Sequence, residues 1–561
     1  MRLLVIFALF FAAHSYSHAE ELDPPEILLG ERLFLETRFA QYFAVQLEKN
    51  SDVNVPLKKG DPALDKTARF FGLPPYQIPF ADGPYAGQSF NCRACHLVDE
   101  HLEQSELGMR SYSDYASRSP LPVRNDGMTV TVRNSPALVD ASLPRRNFIL
   151  HFDGEFNSLE QLVGSTLTNR NLGWLPSEKE QAIEHICKVM REDNGTSELA
   201  EEFGGFSYNE VFAGKTKDGE IIGKDYILPE SLRINLRNSD CDAVFNSTVK
   251  LIAIYTEDLV FAQDESIISP YDLFLKINKL PAQANENETH LAYSKRLIQE
   301  IDELEKQKKL QFVKQNPNTG DETFQFHDQV FEFDSKQLAG MRIFFSSADD
   351  SEETTTEAST GNCIACHAAP HFTDFGIHNI GITQVEFDAL HGENAFNRLS
   401  IPNLSQREKK ADLFLPASNK NPERNGVFRK IPSKMNPMAT DLGVWNILFN
   451  SDFPLSQESL YNLICIKEGE VLCKSRDDTL KKSIALFKTP GLRNLGHSAP
   501  YMHNGQISDL HAVISFYLAI SINTRQGLVR NPDQDIANIN IKPSDIGPLA
   551  AFLISLYEDY N

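Results

Sequence analysis

Twice in its 561 residues the chain reads Cys-x-x-Cys-His, as NCRACH over 91–96 and as NCIACH over 362–367. Random placement of this composition would yield roughly 0.003 such strings in the whole chain, so two are not chance. Two thiols at that spacing meet the two vinyl groups of a haem, and the adjacent His turns onto the iron. A structural zinc site instead wants four Cys or His ligands, usually as two paired knuckles. Here the pairs stand 271 residues apart, from Cys92 to Cys363, and the haem reading is preferred. Cys92, Cys95, Cys363 and Cys366 then carry two covalently bound haem c groups, with His96 and His367 as proximal iron ligands.

Haem is attached through cysteine outside the cytoplasm, and the N-terminus fits that compartment. Arg2 precedes an apolar run from Leu3 to Ala13, and Ser17-His18-Ala19 matches the small-x-small cleavage rule. Residues 1–19 are therefore expected to be a secretory signal. The run is too short to cross a bilayer comfortably, so no stable membrane anchor is expected and the mature chain is placed in the periplasm. Eight cysteines are present, four of them outside the two motifs. In an oxidising compartment these suit disulfides. Proximity pairs Cys187 with Cys241 and Cys465 with Cys473, although four cysteines allow three connectivities. The formal charge of −23 comes without basic clusters, which excludes a nucleic-acid partner. That acidity serves solubility, or the steering of a small basic redox partner.

The chain is 41% hydrophobic and 23% charged, with 37 Phe, which marks a globular protein rather than a disordered one. Helical periodicity is predicted over 26–48, 178–192, 242–260, 289–309, 509–522 and 546–559, whereas strand-like alternation is scarce. Pro- and Gly-punctuated loops run through 52–90 and 402–440. The expected fold is mainly α: two cytochrome c-like haem domains with long loops and an inserted helical segment. Residues 20–330 would form the first domain, with the insertion at about 175–310, and residues 331–561 the second.

Several flanking segments carry a resemblance to a known family. These are LGERLF at 29–34, RNSPALVDASL at 133–143, FDGEFNSLEQLV at 152–163, FTDFGIHNIG at 372–381 and FKTPGLRNLGHSAPYMHNG at 487–505. Together they resemble the bacterial di-haem cytochrome c peroxidase and MauG superfamily, over most of the chain apart from about 175–330. The resemblance implies that peroxide reacts at the N-terminal haem, while the C-terminal haem holds or relays electrons. It places the distal ligand of the C-terminal haem fourteen residues beyond His503, at Tyr517, where the peroxidases carry Met and MauG-type enzymes Tyr. An anionic phenolate favours ferric and higher oxidation states, whereas a thioether favours ferrous iron. Met502 does not occupy the ligand position.

At the N-terminal haem the chain departs from the pattern. Gln161 lies within one residue of the family's distal Gln, but the position of the acid/base Glu falls in TNRNLGW, where Asn169, Arg170 and Asn171 stand. Glu155 and Glu160 are nearby carboxylates whose simplest role is an exposed helix charge. The bridging Trp aligns with Phe152, which is harder to oxidise, so transfer would be direct or pass through Trp174. His151 is either a distal group or a hydrogen-bonded core histidine, and His101 is another candidate resting-state ligand. By resemblance a calcium ion would take the Asn134 side chain and the carbonyls of Ser498 and Pro500, with waters completing the shell. Arg493 would meet a haem propionate or the same loop.

The expectation is a periplasmic di-haem c oxidoreductase that uses hydrogen peroxide. Its electrons would come from a small periplasmic donor, a cytochrome c or a copper protein. MauG-type oxidation of a protein or organic substrate, a haem-dependent dioxygenase and a purely electron-transferring cytochrome are the alternatives. A homodimer is compatible with the sequence.

Overall fold

The computed structural model describes residues 23–50, 52–54, 91–92, 95–96, 118–119, 121–122, 124–261, 268–317, 319–324, 329–347, 359–467, 469–493, 495 and 499–558. The expected signal at 1–19, His101 and Ser498 lie outside these residues. The described chain is mainly helical, and its strands are two-residue pairs: Ile377–His378 with Phe487–Lys488, and Ile466–Lys467 with Glu470–Val471.

Among the described residues, three large apolar cores organise it, with a smaller cluster of Leu150, Phe156, Leu159 and Ala253 beside the first. The first gathers Leu33, Phe34, Phe39, Leu167, Trp174, Ile186 and Leu251. Its spine is the helix Cys241–Asp258, against which Pro25–Phe34, Leu159–Leu167 and Lys179–Glu192 pack. Gly30 permits the closest of these approaches, because a Cβ there would collide with the Leu251 carbonyl. A disulfide between Cys187 and Cys241, with Cα atoms 5.3 Å apart, ties two of the helices together.

The apolar period over 26–48 predicts one helix, but the structure breaks it. The first helix ends at Phe34, a short 3-10 turn covers Thr37–Phe39, and a second helix starts at Gln41. The break turns Glu36 and Arg38 inward. Arg38 binds Glu36 at 2.6 Å and Asp193 at 2.9 Å, Arg32 reaches Asp193 at 3.1 Å, and Tyr208 donates to Glu36 at 2.7 Å. Two guanidiniums and two carboxylates balance inside the core, and the mutual pairing makes their burial tolerable. Periodicity alone does not register such a cluster.

The second core collects Tyr271, Phe274, Leu297, Phe344, Phe345, Phe372 and Phe552. The helices Pro270–Asn278 and His290–Lys306 belong to it, on the far side of the boundary expected at 330. Residues 175–310 are shared between two cores. Their first part completes the first core and their last part the second. The third core runs through Phe387, Phe396, Phe428, Trp445, Leu460 and Phe487, with Ile149 contributed by the first half. It rests on short helices, turns and the Cys465–Cys473 disulfide, and of its buried residues only Phe414, Val427 and Phe428 fall in the stretch 402–440 expected to be irregular loop.

Candidate active site

Each CxxCH motif folds into a tight turn. His96 and Cys95 donate their backbone N–H to Cys92 O at 2.9 and 3.1 Å, and His367 and Cys366 donate to Cys363 O at 2.8 and 3.2 Å. The turn brings both thiols and the imidazole to one side. His96 Nδ1 sits 2.9 Å from Pro136 O, and His367 Nδ1 sits 2.9 Å from Phe372 O. A carbonyl at Nδ1 fixes the proton there and leaves Nε2 as the basic nitrogen, as an iron-ligating imidazole requires. Burial pushes His96 down to about 4 and also lowers His367, so both rings are neutral. All four motif cysteines are outside the disulfides. Burial pushes Cys92 up to about 12 and Cys95 up to about 11, which excludes a reactive thiolate pair. Neutral, oriented histidines beside protonated buried thiols fit a haem at each motif.

The two carbonyl anchors are held differently. Phe372 is fully buried, with its ring 5.5 Å from that of Tyr271, 5.8 Å from Phe344 and 6.1 Å from Phe552. Pro136 lies instead on a loop pinned by polar contacts. Asn134 N–H donates to His503 O at 2.8 Å, and Ser135 meets Ser119 at 2.9 Å. The first site therefore leans on the second half of the chain.

A cavity of about 1050 Å³ opens onto Cys92 and His96. Its walls come from the 125–141 loop, the turn carrying His151, Phe152 and Glu155, the helix Leu159–Leu167, and residues 416–431. His151 has the positive φ of 62° that turns the chain sharply here, and a backbone pairing between Leu150 and Phe156 closes the turn. His151 Nδ1 donates to Glu155 Oε2 at 3.1 Å, and Arg429 pairs with the same carboxylate. Burial opposes ionisation of Glu155, yet Arg429 and His151 outweigh it and hold the carboxyl below the usual range. Arg133 binds Asp153 at 2.7 Å and Asp441 at 2.5 Å, so this network too spans both halves. His151, Asp153 and Glu155 approach one another closely enough for a metal ion, but Arg133 and Arg429 already neutralise the carboxylates.

Several expected residues stand elsewhere. Gln161 belongs to the helix Leu159–Leu167, whose cavity face carries Leu159, Leu162, Val163 and Thr166. Ser165 and Leu167 line the cavity as well, whereas Gln161 does not. Asn169, Arg170 and Asn171 do line it. Glu160 is exposed, as expected, whereas Glu155 is no exposed helix charge but part of the cavity turn. Trp174 is a core residue, donating to Phe39 O at 3.1 Å and lying 5.8 Å from the His185 ring. Phe152 sits at the seam between halves, its ring 6.5 Å from His503 and its carbonyl accepting from Lys488 N–H at 2.7 Å.

Arg493 has partners within the chain. It holds Asp272 through two bonds of 2.5 and 3.0 Å, donates to Pro370 O at 2.8 Å and lies over the Phe372 ring. The chain supplies its carboxylate from the helix Pro270–Asn278. Asn134 donates its amide to Pro500 O, which unites two expected calcium ligands as a hydrogen bond. Tyr517 lies on the helix Leu510–Arg525, and burial together with the neighbouring Cys366 and Cys363 raises its phenol well above the ordinary value. Proximity to both motif cysteines puts this ring beside the second haem site.

No family model matches the chain. Cytochrome-c peroxidase IdrP2 of Denitromonas iodatirespirans is 27% identical over 163 residues, which is 28% of this chain and 28% of that protein. The crystal structure of the diheme peroxidase BthA from Burkholderia thailandensis E264 overlaps with a TM-score of 0.41 at 14% identity, covering 96% of this chain and 87% of that one. That of a MauG-like protein associated with microbial copper homeostasis gives 0.41 at 12% identity, covering 96% and 90%. Over that 28% of its length, the chain with its two CxxCH turns is similar to a bacterial cytochrome-c peroxidase.

Proposed function

We propose that the protein is an exported, periplasmic di-haem c oxidoreductase of peroxidase type, with hydrogen peroxide as its oxidising substrate. The observation that carries this reading is the asymmetry of the two sites. The large cavity reaches His96, whereas His367 is anchored in the aromatic core with Tyr517 close by. Cys92, Cys95 and His96 would hold one haem, and Cys363, Cys366 and His367 the other, with Tyr517 as the second ligand of the latter.

Haem supplies an iron that exchanges electrons with peroxide when its distal face is open. His151 then stands in for the carboxylate missing from 169–171. With Nδ1–H committed to Glu155, its Nε2 is the nitrogen that takes a proton from an incoming peroxide and returns it to the departing oxygen. Glu155 orients the ring and stabilises the imidazolium, and Arg429 keeps Glu155 ionised. Cys363, Cys366 and His367 would hold the group that accepts electrons from a small reduced periplasmic protein. The His503 ring, stacked on Phe487 with centroids 3.5 Å apart, and Phe152 fill the seam between the sites.

Visible and EPR spectra taken before and after addition of H2O2, on wild type and Tyr517→Phe, test the proposal. The expected result is one haem that responds to peroxide and one low-spin signal that Tyr517→Phe removes. Two ferric haems that stay low-spin and ignore peroxide would sink it.

A further inference from the structure

The cavity at His96 is lined by several cations, and their partners separate them. Arg133, Arg170, Arg424, Arg429 and Arg493 each hold a carboxylate of the chain, namely Asp441, Asp126, Asp452, Glu155 and Asp272. Lys430 reaches the amide oxygen of Asn425. Lys488 also lines the cavity, and among the described residues its ammonium makes no hydrogen bond or ion pair.

The surroundings add to the imbalance. Arg145 stands near enough to oppose the charge on Lys488, and it too lacks a carboxylate. Its guanidinium is wedged between the rings of Phe148 and Phe375, 4.3 and 4.4 Å away, and bonds to the carbonyls of Ala141, Leu143 and Ile149. Asp374 is the opposite charge in range, but it is already committed to His378 at 2.8 Å and to Gly376 N–H at 2.7 Å. Burial, followed by Arg145, pushes Lys488 down to about 7. Lys488 at the cavity wall and Arg145 near it, with no carboxylate of their own, favour an anion that enters beside them.

The position of Lys488 is fixed by backbone. Its strand Phe487–Lys488 pairs with Ile377–His378, and its N–H donates to Phe152 O at 2.7 Å. A carboxylate entering the cavity would meet a placed ammonium.

We infer that Lys488, backed by Arg145, is the propionate-binding cation for the haem carried by Cys92, Cys95 and His96. The inference rests on the di-haem reading above. Haem brings its own carboxylates, and one of them supplies the anion that the seam lacks. Paired in this way Lys488 stays protonated, and its charge favours the ferrous form of the neighbouring iron.

The test is an equilibrium redox titration of the full-length holoprotein, followed by visible spectroscopy, on wild type, Lys488→Met and Lys488→Arg. Mass spectrometry of each preparation counts the covalent haems, and Tyr517→Phe identifies the absorbance of the haem at His367. Lys488→Met should lower the midpoint potential of the haem at His96 and leave the other in place, while Lys488→Arg restores the wild-type value. If Lys488→Met fails to load haem at Cys92 and Cys95 but Lys488→Arg loads normally, the carboxylate contact is again supported. Unchanged potentials in a fully loaded Lys488→Met, or a shift confined to the haem at His367, overturn the inference. A wild-type chain that carries no covalent haem overturns the di-haem reading itself, so the two failures are separable.

Discussion

The two CxxCH turns are near copies in backbone and opposites in support. Each binds its histidine Nδ1 to a carbonyl at 2.9 Å. Behind the second carbonyl lies the ring of Phe372, packed among Tyr271, Phe344 and Phe552. Behind the first lies a loop held by Asn134 and Ser135, and in front of it a cavity whose walls come from both halves. The lesson is that one local motif serves two purposes according to what surrounds it. An aromatic core fixes a site that need not admit a substrate. A polar, hydrogen-bonded loop leaves room for chemistry and places part of the control with the other half of the chain.

The sharpest way to break this comparison is to remove one histidine at a time. His96→Ala should abolish the reaction with peroxide, measured by stopped-flow absorbance, while His367→Ala should leave the first encounter with peroxide intact and stop sustained turnover. If the two variants lose the first reaction equally, the sites are not divided as described. Within the first site, His151→Leu should slow the peroxide step by about 10²–10⁴-fold, the range of a lost general acid/base. Glu155→Gln should cost less, about 10–100-fold, since it orients the ring rather than carrying the proton.

Stability sharpens the same contrast. Phe372→Ala removes a fully buried ring and should cost about 3–5 kcal/mol in denaturant unfolding, whereas Met128→Ala in the cavity wall should cost about 0.5 kcal/mol or less. A further effect concerns acid. His185, in the first core, has Nε2 2.7 Å from Arg38 O, and burial pushes the ring down to about 4 from 6.5. Its folded value lies below its unfolded value, so the unfolded chain binds the extra proton. Stability is then complete above pH 6.5 and is lost as pH falls toward 4, by roughly 3 kcal/mol. Equilibrium unfolding at pH 7 and pH 4.5, on wild type and His185→Gln, should show that difference shrink in the variant.

The chain's chemistry was legible because it is written in short local strings. Cys92, Cys95, His96, Cys363, Cys366 and His367 need no tertiary information to be found, since the spacing itself is the chemical requirement. Helices at 178–192, 242–260 and 509–522 were equally plain, because one apolar face repeats over several turns. Glu155 was misjudged and Gln161 misplaced for a common reason. Which way a side chain faces depends on where a turn or helix is rotated, and a single sequence does not set that angle. Arg493 shows the same limit, since its partner Asp272 comes from a helix 221 residues away in sequence.

By itself the sequence pointed to the cofactor class and the helical character, and it left three pairings of four cysteines open. Tertiary structure decided that His96 meets a cavity, that residues 268–306 complete the second core, and that a third core joins residues 377–487 to Ile149. The physical reason is that covalent and helical requirements act over a few neighbouring residues. Cavities, ion pairs and core membership depend on the closure of long loops, whose ends meet only when the whole chain has packed.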